Sequence, residues 1–244
     1  HLNLMRESAK KCGATVVSIF VNPTQFGPNE DFNRYPRDLK RDLKMAAAAG
    51  ADIVFAPETE EMYSSCSAAF VSIEGHLANT LEGKIRPGHF RGVATVVAKL
   101  FNIVKPDTAF FGQKDAQQCA VIKRMAADLN FGIKIEICPT TRENDGLAMS
   151  SRNKYLSPKQ RSQAGMLYAS LMLGKKLAEK GEKNTAAITG AVKRAIETNT
   201  DFKTDYAAVV DADSFREIRN IKGPAILAVA ARTGNVRLID NLSF

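Results

Sequence analysis

Between residues 14 and 139 the chain alternates short apolar runs with amphipathic segments of helical period. Residues 15–21 form a nearly continuous apolar run, which is typical of a strand buried on both faces of a parallel sheet. From Phe90 to Val104 the apolar side chains recur at intervals of three and four, which predicts an amphipathic helix. Because parallel strands need crossover helices, this alternation predicts an α/β fold with a doubly wound parallel sheet.

The same patterns place the other elements of this region. They predict further strands at 52–57, 70–74, 108–111 and 133–139, and helices near the first residue, at 37–49 and around Ile122 to Leu129. A strand usually precedes a helix in such a chain, yet residue 1 is a histidine that leads straight into a helical pattern. We therefore expect a strand upstream of His1.

The pattern changes after residue 140. A polar loop covers 140–157, two helical segments follow at 158–180 and 184–199, and strand-like segments then lie at 205–210, 225–231 and 236–239. Helices followed by strands predict a smaller α+β domain. We expect a first domain over 1–140 and a second over 141–244.

Composition excludes several classes of protein. The longest apolar run, 225–231, is far shorter than the ~18 residues of a membrane span, so no membrane association is expected. The four cysteines form no C-x-x-C pair, which favours a reducing cytoplasm and argues against a thiolate metal site. The net charge of +8 suits nucleic acid or a polyanion such as ATP, but the basic residues are scattered without interleaved aromatics, so nucleic acid is disfavoured.

Three polar segments follow predicted strands, at 22–27, 112–115 and 140–153. Ligands of open α/β sheets bind at the carboxyl ends of the strands. In the second segment Gly112 permits a sharp turn, Lys114 offers a positive charge for a phosphate, and Gln118 shares a helix face with Lys114. The alternative is that Asp115 caps a helix and Lys114 is a solvated charge.

The other two segments are also open to two interpretations. Ser150, Ser151 and Arg152 place two hydroxyls and a guanidinium in a row, which suits a triphosphate, although a polar interdomain loop looks the same. Gln25 offers a neutral amide for a polar ligand or is a plain loop residue. His89 lies in a basic turn before a helix and contacts either that helix or a ligand, whereas His76 fits a surface position. No serine or cysteine lies in a nucleophile-elbow motif, and the carboxylates show no paired acid/base spacing.

Several longer stretches, taken together, carry a resemblance. Residues 20–26, 35–37, 86–93, 111–118, 145–153 and 237–241 appear in order and closely resemble the pantoate–β-alanine ligases of the nucleotidylyltransferase superfamily. The resemblance spans essentially the whole chain. It implies a Rossmann-like first domain, a smaller second domain, a cytoplasmic homodimer, and an ATP-dependent ligase that condenses pantoate with β-alanine. The products are pantothenate, AMP and pyrophosphate, with Mg²⁺ neutralising the triphosphate.

The resemblance also assigns roles to residues. Its N-terminal signature is a Pro-Thr-Met-Gly turn followed by His-x-Gly-His, of which only the second histidine is present, as His1; the first strand, the turn and the first histidine are expected upstream. His1 resembles the histidine that contacts the phosphates and donates a proton, and Gln25 and Gln118 resemble the amides that bind pantoate. The ATP-binding residues are Gly112, Gln113, Lys114, Asp115, Thr141, Met149, Ser150, Ser151 and Arg152, of which Lys114, Ser150, Ser151 and Arg152 are also expected to act in catalysis. No residue is assigned as a metal ligand.

Two alternative functions are kept. Another nucleotidylyltransferase of the same superfamily would also release pyrophosphate but would keep the nucleotide on its product. A nucleic-acid-binding module is suggested by the net charge alone, and its binding would weaken steeply with salt.

Overall fold

The computed structural model describes residues 1–28 and 30–244, which form two compact units. The first unit comprises residues 1–112 and 117–138, and the second comprises 113–116 and 139–244. The domain boundary at residue 140 stays a sequence prediction. Packing adds one feature that no pattern indicates, because the short segment 113–116 belongs to the second unit.

The first unit alternates helices and strands. In chain order they are α1 (Leu2–Lys11), β1 (Val16–Ser18), α2 (Leu39–Ala48), β2 (Ile53–Phe55), α3 (Thr59–Met62), α4 (His76–Asn79), α5 (Glu82–Ile85), α6 (His89–Val104), β3 (Thr108–Gly112), α7 (Ala116–Asp128) and β4 (Lys134–Cys138).

The strands of the first unit pair in parallel, as predicted. β1 pairs with β2, with Val16 opposite Ile53, and β3 pairs with β4, with Thr108 opposite Lys134. The predicted sheet is thus present as two parallel pairs, and no ladder joins β1 to β3 in the described part of the chain. If a strand precedes α1, a right-handed crossover through this helix would place that strand beside β1. The strand expected upstream of His1 stays a prediction.

Helix α6 supplies much of the first core. Phe90, Val93, Val97 and Phe101 are buried on it at helical spacing, and they pack in one cluster with residues of α7 such as Ile122. This confirms the helix predicted from Phe90 onward.

The strand predicted at 70–74 is wrong, since this segment joins no ladder. Its partners are side chains of α6 instead. The Val71 N–H donates to Oγ1 of Thr95 at 3.0 Å, and the Arg91 guanidinium lies 3.8 Å from the centroid of the Phe70 ring. Alternating side chains predict an extended backbone, but the hydrogen-bond partner is set by what lies beside it.

The second unit combines helices with a sheet, as the α+β prediction expects, and the structure shows that the sheet is antiparallel. Its elements are α8 (Pro158–Ala164), α9 (Met166–Glu179), α10 (Thr185–Asn199), β5 (Lys203–Asp211), β6 (Ala225–Thr233) and β7 (Val236–Ser243). The long helix predicted over 158–180 is interrupted at Gly165, a residue of low helix propensity. The sheet order is β5-β6-β7, with β6 in the centre.

The core of the second unit lies between α9, α10 and the sheet. Ile188, Val192 and Ile196 recur every four residues on α10, and all three are fully buried with Leu171 and Leu227. Within the described residues no helix combines the length and the apolar character needed to cross a membrane.

Candidate functional site

The loop after β1 is organised by the side chain of Asn22, which is 3% exposed. Its Oδ1 accepts hydrogen bonds from the hydroxyls of Thr24 and Tyr63, each at 2.9 Å. Its Nδ2 donates to the carbonyl of Gly92 at 3.1 Å and to Oε1 of Gln25 at 3.3 Å. Since hydroxyls approach one end of the amide and acceptors the other, only one orientation of the Asn22 amide satisfies every partner.

This orientation also fixes the amide of Gln25. Its Oε1 accepts from Asn22, so its Nε2 is the end left to donate, and no acceptor for Nε2 lies in the described part of the chain. Gln25 therefore presents two N–H donors and no charge. Such a group suits a carboxylate or hydroxyl of a small ligand.

Close packing of α6 holds the main chain of this loop. A Cβ on Gly92 would lie 2.4 Å from the carbonyl oxygen of Thr24 and 2.7 Å from Cα of Gln25. Only glycine lets the helix approach the loop this closely. The conformation of Gln25 is thus set by the helix as well as by Asn22.

His89 and Arg86 hold the same loop from its other side. Nδ1 of His89 lies 2.9 Å from the carbonyl of Gln25, and Arg86 Nη1 lies 3.0 Å from Nε2 of His89. Arg86 also donates from Nε to Oε1 of Glu30 at 2.7 Å. Because a guanidinium only donates and a carbonyl only accepts, His89 is neutral, with its proton on Nδ1.

The electrostatic surroundings of His89 agree with this tautomer. Burial, followed by the positive charge of Arg86, lowers the pKa of His89 to about 4. His89 is therefore a buried support of the loop, a role that its sequence context did not predict.

Two adjacent glutamines on α7 have different roles. Gln117 is 4% exposed and donates from Nε2 to the carbonyls of Leu77 and Thr80 at 2.8 and 2.9 Å, while its Oε1 accepts from the N–H of Glu82 at 3.0 Å. Gln118 is half-buried, and its side chain makes no hydrogen bond within the described residues. Gln117 therefore has a structural role, whereas the amide of Gln118 makes no side-chain hydrogen bond within the described residues and its contact with pantoate stays a prediction.

His1 lies just before α1 and is exposed, and its side chain does not cap the helix. No hydrogen bond within the described chain joins it to Gln25 or Gln118. The structure thus leaves its proposed contact with phosphates as a prediction.

The turn after β3 carries Lys114 within the second unit. The Lys114 side chain is 20% exposed, and its ammonium lies 3.4 Å from Oδ1 of Asp115. The amide of Asn241, on β7, donates from Nδ2 to the carbonyls of Gln113 and Lys114, each at 2.9 Å, and accepts from Nε2 of Gln113 at 3.0 Å. The turn is held from β7, so Lys114 is not a freely solvated charge.

The loop that begins at residue 140 forms a small hairpin. The N–H of Met149 donates to the carbonyl of Thr141 at 2.9 Å, and the N–H of Glu143 donates to the carbonyl of Leu147 at 2.8 Å. Gly146 closes the turn at φ +87°, and a Cβ there would lie 2.3 Å from the Tyr168 ring. This position therefore requires glycine.

An ion pair ties the hairpin to β7. Arg142 donates from Nη1 and Nη2 to the two carboxylate oxygens of Asp240 at 2.6 and 3.0 Å, and its guanidinium lies 3.9 Å from the centroid of the Tyr168 ring. Burial raises the pKa of Asp240, while Arg142 acts in the opposite direction. The bidentate geometry offsets part of the cost of burying the carboxylate.

The predicted phosphate-binding residues follow the hairpin. Ser150 precedes the short 3-10 helix Ser151–Tyr155, and its Oγ accepts from the N–H of Arg152 at 3.2 Å. Ser150, Ser151 and Arg152 are all half-buried. The turn brings two hydroxyls and one guanidinium together in three consecutive residues.

Asn22, Arg86, Asp240 and Asn241 are functional supports that were not assigned from sequence. All four lie inside the stretches 20–26, 86–93 and 237–241 that carried the resemblance. Their roles depend on partners far away in the chain, so no local pattern distinguishes them from neighbouring polar residues.

Comparison with known proteins gives the family. Residues 1–243 match the pantoate–β-alanine ligases. The chain belongs to this family. Its relatives include the pantothenate synthetases of Moorella thermoacetica and Acetivibrio thermocellus, each 54% identical over 242 residues, which cover 99% of this chain and 85% and 86% of those proteins.

Solved structures of pantoate–β-alanine ligases have the same fold. The pantothenate synthetase of Thermus thermophilus matches with a TM-score of 0.96 and 45% identity, over 99% of this chain and 87% of that one. The ligase of Francisella tularensis, complexed with β,γ-ATP and β-alanine, matches with a TM-score of 0.77 and 33% identity, over 99% and 84%. The expected family, ligase activity and α/β fold class are confirmed.

Proposed function

We propose that the chain joins pantoate to β-alanine in two steps, through a pantoyl adenylate. A carboxylate is a poor electrophile, so the pantoate carboxylate first attacks the α-phosphorus of ATP and the bond to pyrophosphate breaks. The β-alanine amine then attacks the acyl carbon, loses a proton, and AMP leaves. Such chemistry needs positioning and charge stabilisation rather than a protein nucleophile.

The orientation of the Gln25 amide is the observation that carries this proposal. Its Nε2 faces away from Asn22 and donates, in the proposal, to the carboxylate or hydroxyls of pantoate. Gln118 supplies a second neutral amide. Because both groups are uncharged, they orient the pantoate carboxylate without neutralising the charge with which it attacks.

The phosphates of ATP are assigned mainly to residues of the second unit. Lys114 contributes a point charge, and Arg152 with the hydroxyls of Ser150 and Ser151 stabilises the departing pyrophosphate. Gly112, Gln113 and Asp115 form the turn beside the nucleotide, and Thr141 and Met149 contribute backbone contacts. His1 contacts the phosphates and donates a proton in this scheme.

The ion, the assembly and the location are also proposals. Within the described residues no group of three His, Cys, Asp or Glu side chains is arranged to hold a metal. Mg²⁺ is therefore expected to enter as a complex with substrate ATP, because this ion is commonly held by phosphates and water. A homodimer, a cytoplasmic location and the absence of nucleic-acid partners are carried over as expectations.

An end-point assay tests the proposal. The protein is incubated with ATP, Mg²⁺, pantoate and β-alanine, and products are identified by mass spectrometry. AMP and pantothenate are expected in equal amounts, with neither formed when pantoate is omitted. A product that retains the nucleotide would instead show another nucleotidylyltransferase activity.

A further inference from the structure

Asn241 contacts the peptide groups on both sides of Lys114. The carbonyl of Gln113 belongs to the peptide that precedes the Cα of Lys114, and the carbonyl of Lys114 belongs to the peptide that follows it. Both accept from Nδ2 of Asn241 at 2.9 Å. Since peptide groups are planar, fixing both planes fixes the backbone dihedral angles of Lys114 and the direction of its Cα–Cβ bond.

The oxygen of the Asn241 amide also has a hydrogen-bond partner. Its Oδ1 accepts from Nε2 of Gln113 at 3.0 Å, so the amide cannot turn over without losing three hydrogen bonds. Asn241 is 3% exposed, and the carboxylate of neighbouring Asp240 is held by Arg142. The positioning group is thus itself held in place within the second unit.

We infer that Asn241 is a positioning residue that aims Lys114 at the phosphates of ATP. The inference rests on the proposed function of Lys114. It adds that the orientation of this lysine is set by a residue 127 positions away. It also gives a role to the stretch 237–241, which the reaction scheme leaves without one.

A double-mutant cycle tests whether Asn241 acts through Lys114. Asn241→Leu removes the amide at similar volume, and we expect it to raise the Kd for ATP about tenfold while the KM for pantoate stays within about twofold, since one lost charge-directing interaction of ~1.4 kcal/mol is a factor of ten. Lys114→Ala is expected to lose more. The double variant should bind ATP with the same Kd as Lys114→Ala alone, because Asn241 cannot orient a lysine that is absent.

Thr185→Val serves as the matched control. Thr185 is 7% exposed in the same unit, and its Oγ1 donates to the carbonyl of Ile218 at 2.6 Å. Thr185→Val removes a buried hydrogen bond from a side chain to a carbonyl, far from Lys114 in the sequence. The Kd for ATP should therefore stay at the wild-type value. If Asn241→Leu does not fold, Asn241→Asp keeps the shape but lacks the N–H donors, and the same rise in Kd is expected.

ATP binding is measured by calorimetry, so the result does not depend on turnover. Unchanged ATP affinity in folded Asn241 variants, or losses that add in the double variant, would overturn the inference. If wild-type protein binds ATP and the cycle is non-additive but no pantothenate forms, the proposed function fails and the positioning role stands.

Discussion

The imidazole of His89 donates from Nδ1 to the main-chain carbonyl of Gln25 over 2.9 Å. This bond links a buried helix residue to the backbone of the residue whose amide is proposed to bind pantoate. The contact of Nε2 with Arg86 requires a neutral ring, because a guanidinium only donates and Nε2 must therefore accept. The support of the loop therefore depends on the protonation state of His89.

A pH-dependent stability follows from the burial of His89 beside the positive charge of Arg86. The pKa of His89 falls from 6.5 to about 4 on folding, so the unfolded chain takes up the proton first as the pH falls. The contribution of neutral His89 to the free energy of unfolding is present above pH 6.5. It is lost between pH 6.5 and 4, and the total loss is about 3 kcal/mol. Urea unfolding of wild type and His89→Gln at pH 7.5, 6 and 4.5 measures it. The stability gap between the two proteins should narrow with falling pH, and a constant gap would contradict the prediction.

The neighbouring glutamines of α7 should respond oppositely to truncation. Gln117→Ala removes three hydrogen bonds to main-chain groups of Leu77, Thr80 and Glu82, so we expect a loss of about 2–5 kcal/mol in unfolding free energy. Gln118→Ala removes no internal hydrogen bond and should instead raise the KM for pantoate about tenfold or more, with unfolding free energy within about 0.5 kcal/mol of wild type. Denaturant unfolding and steady-state kinetics on both variants check this, and the reverse pattern would exchange the two roles.

The sequence predicted those elements whose hydrophobic pattern extends over many consecutive residues. Helix α6 follows from its apolar spacing, and the second unit follows from helices that precede strands. The segment 70–74 was misassigned because its alternation is correct for an extended backbone, whereas its partner Thr95 lies on a helix. The proposed site residues came from the family resemblance. The hydrogen bond from Nε2 of Gln113 to Oδ1 of Asn241 joins residues 128 positions apart, and no local pattern predicts such a contact.

Removing one partner of the ion pair between Arg142 and Asp240 should destabilise the protein strongly, because the other charge is then left buried without its counter-charge. The Asp240 side chain is 2% exposed and that of Arg142 is 16% exposed. Asp240→Asn keeps the shape but leaves the guanidinium without its carboxylate, and breaking a buried pair costs about 3–5 kcal/mol. Thermal unfolding measures the loss. As a control, Asp201→Asn removes the partner of Lys159 in a pair whose side chains are 52% and 73% exposed, and it should change stability by about 1 kcal/mol or less.

Lys114 should matter for turnover far more than for folding. If its ammonium stabilises phosphate charge in the transition state, Lys114→Ala lowers kcat/KM for ATP by about 10²–10³, as with other lost oxyanion donors. Lys134→Ala is the matched control, because that side chain is 72% exposed and lies in another element, β4. Its kinetics should equal those of wild type. Near-normal turnover in Lys114→Ala would contradict the proposed role of Lys114 at the phosphates of ATP.

The order of bond changes can be read from isotopes. With ATP, Mg²⁺ and pantoate but no β-alanine, the protein should exchange labelled pyrophosphate into ATP, because adenylation is reversible while the intermediate stays bound. When pantoate carries ¹⁸O in its carboxylate and β-alanine is added, one label should appear in AMP, since the carboxylate oxygen that attacked phosphorus leaves with it. Mass spectrometry of AMP and pantothenate reads both outcomes, and reactions without pantoate are the control. Label in orthophosphate, with ADP as the nucleotide product, would place the attack at the γ-phosphate and would exclude the adenylate mechanism.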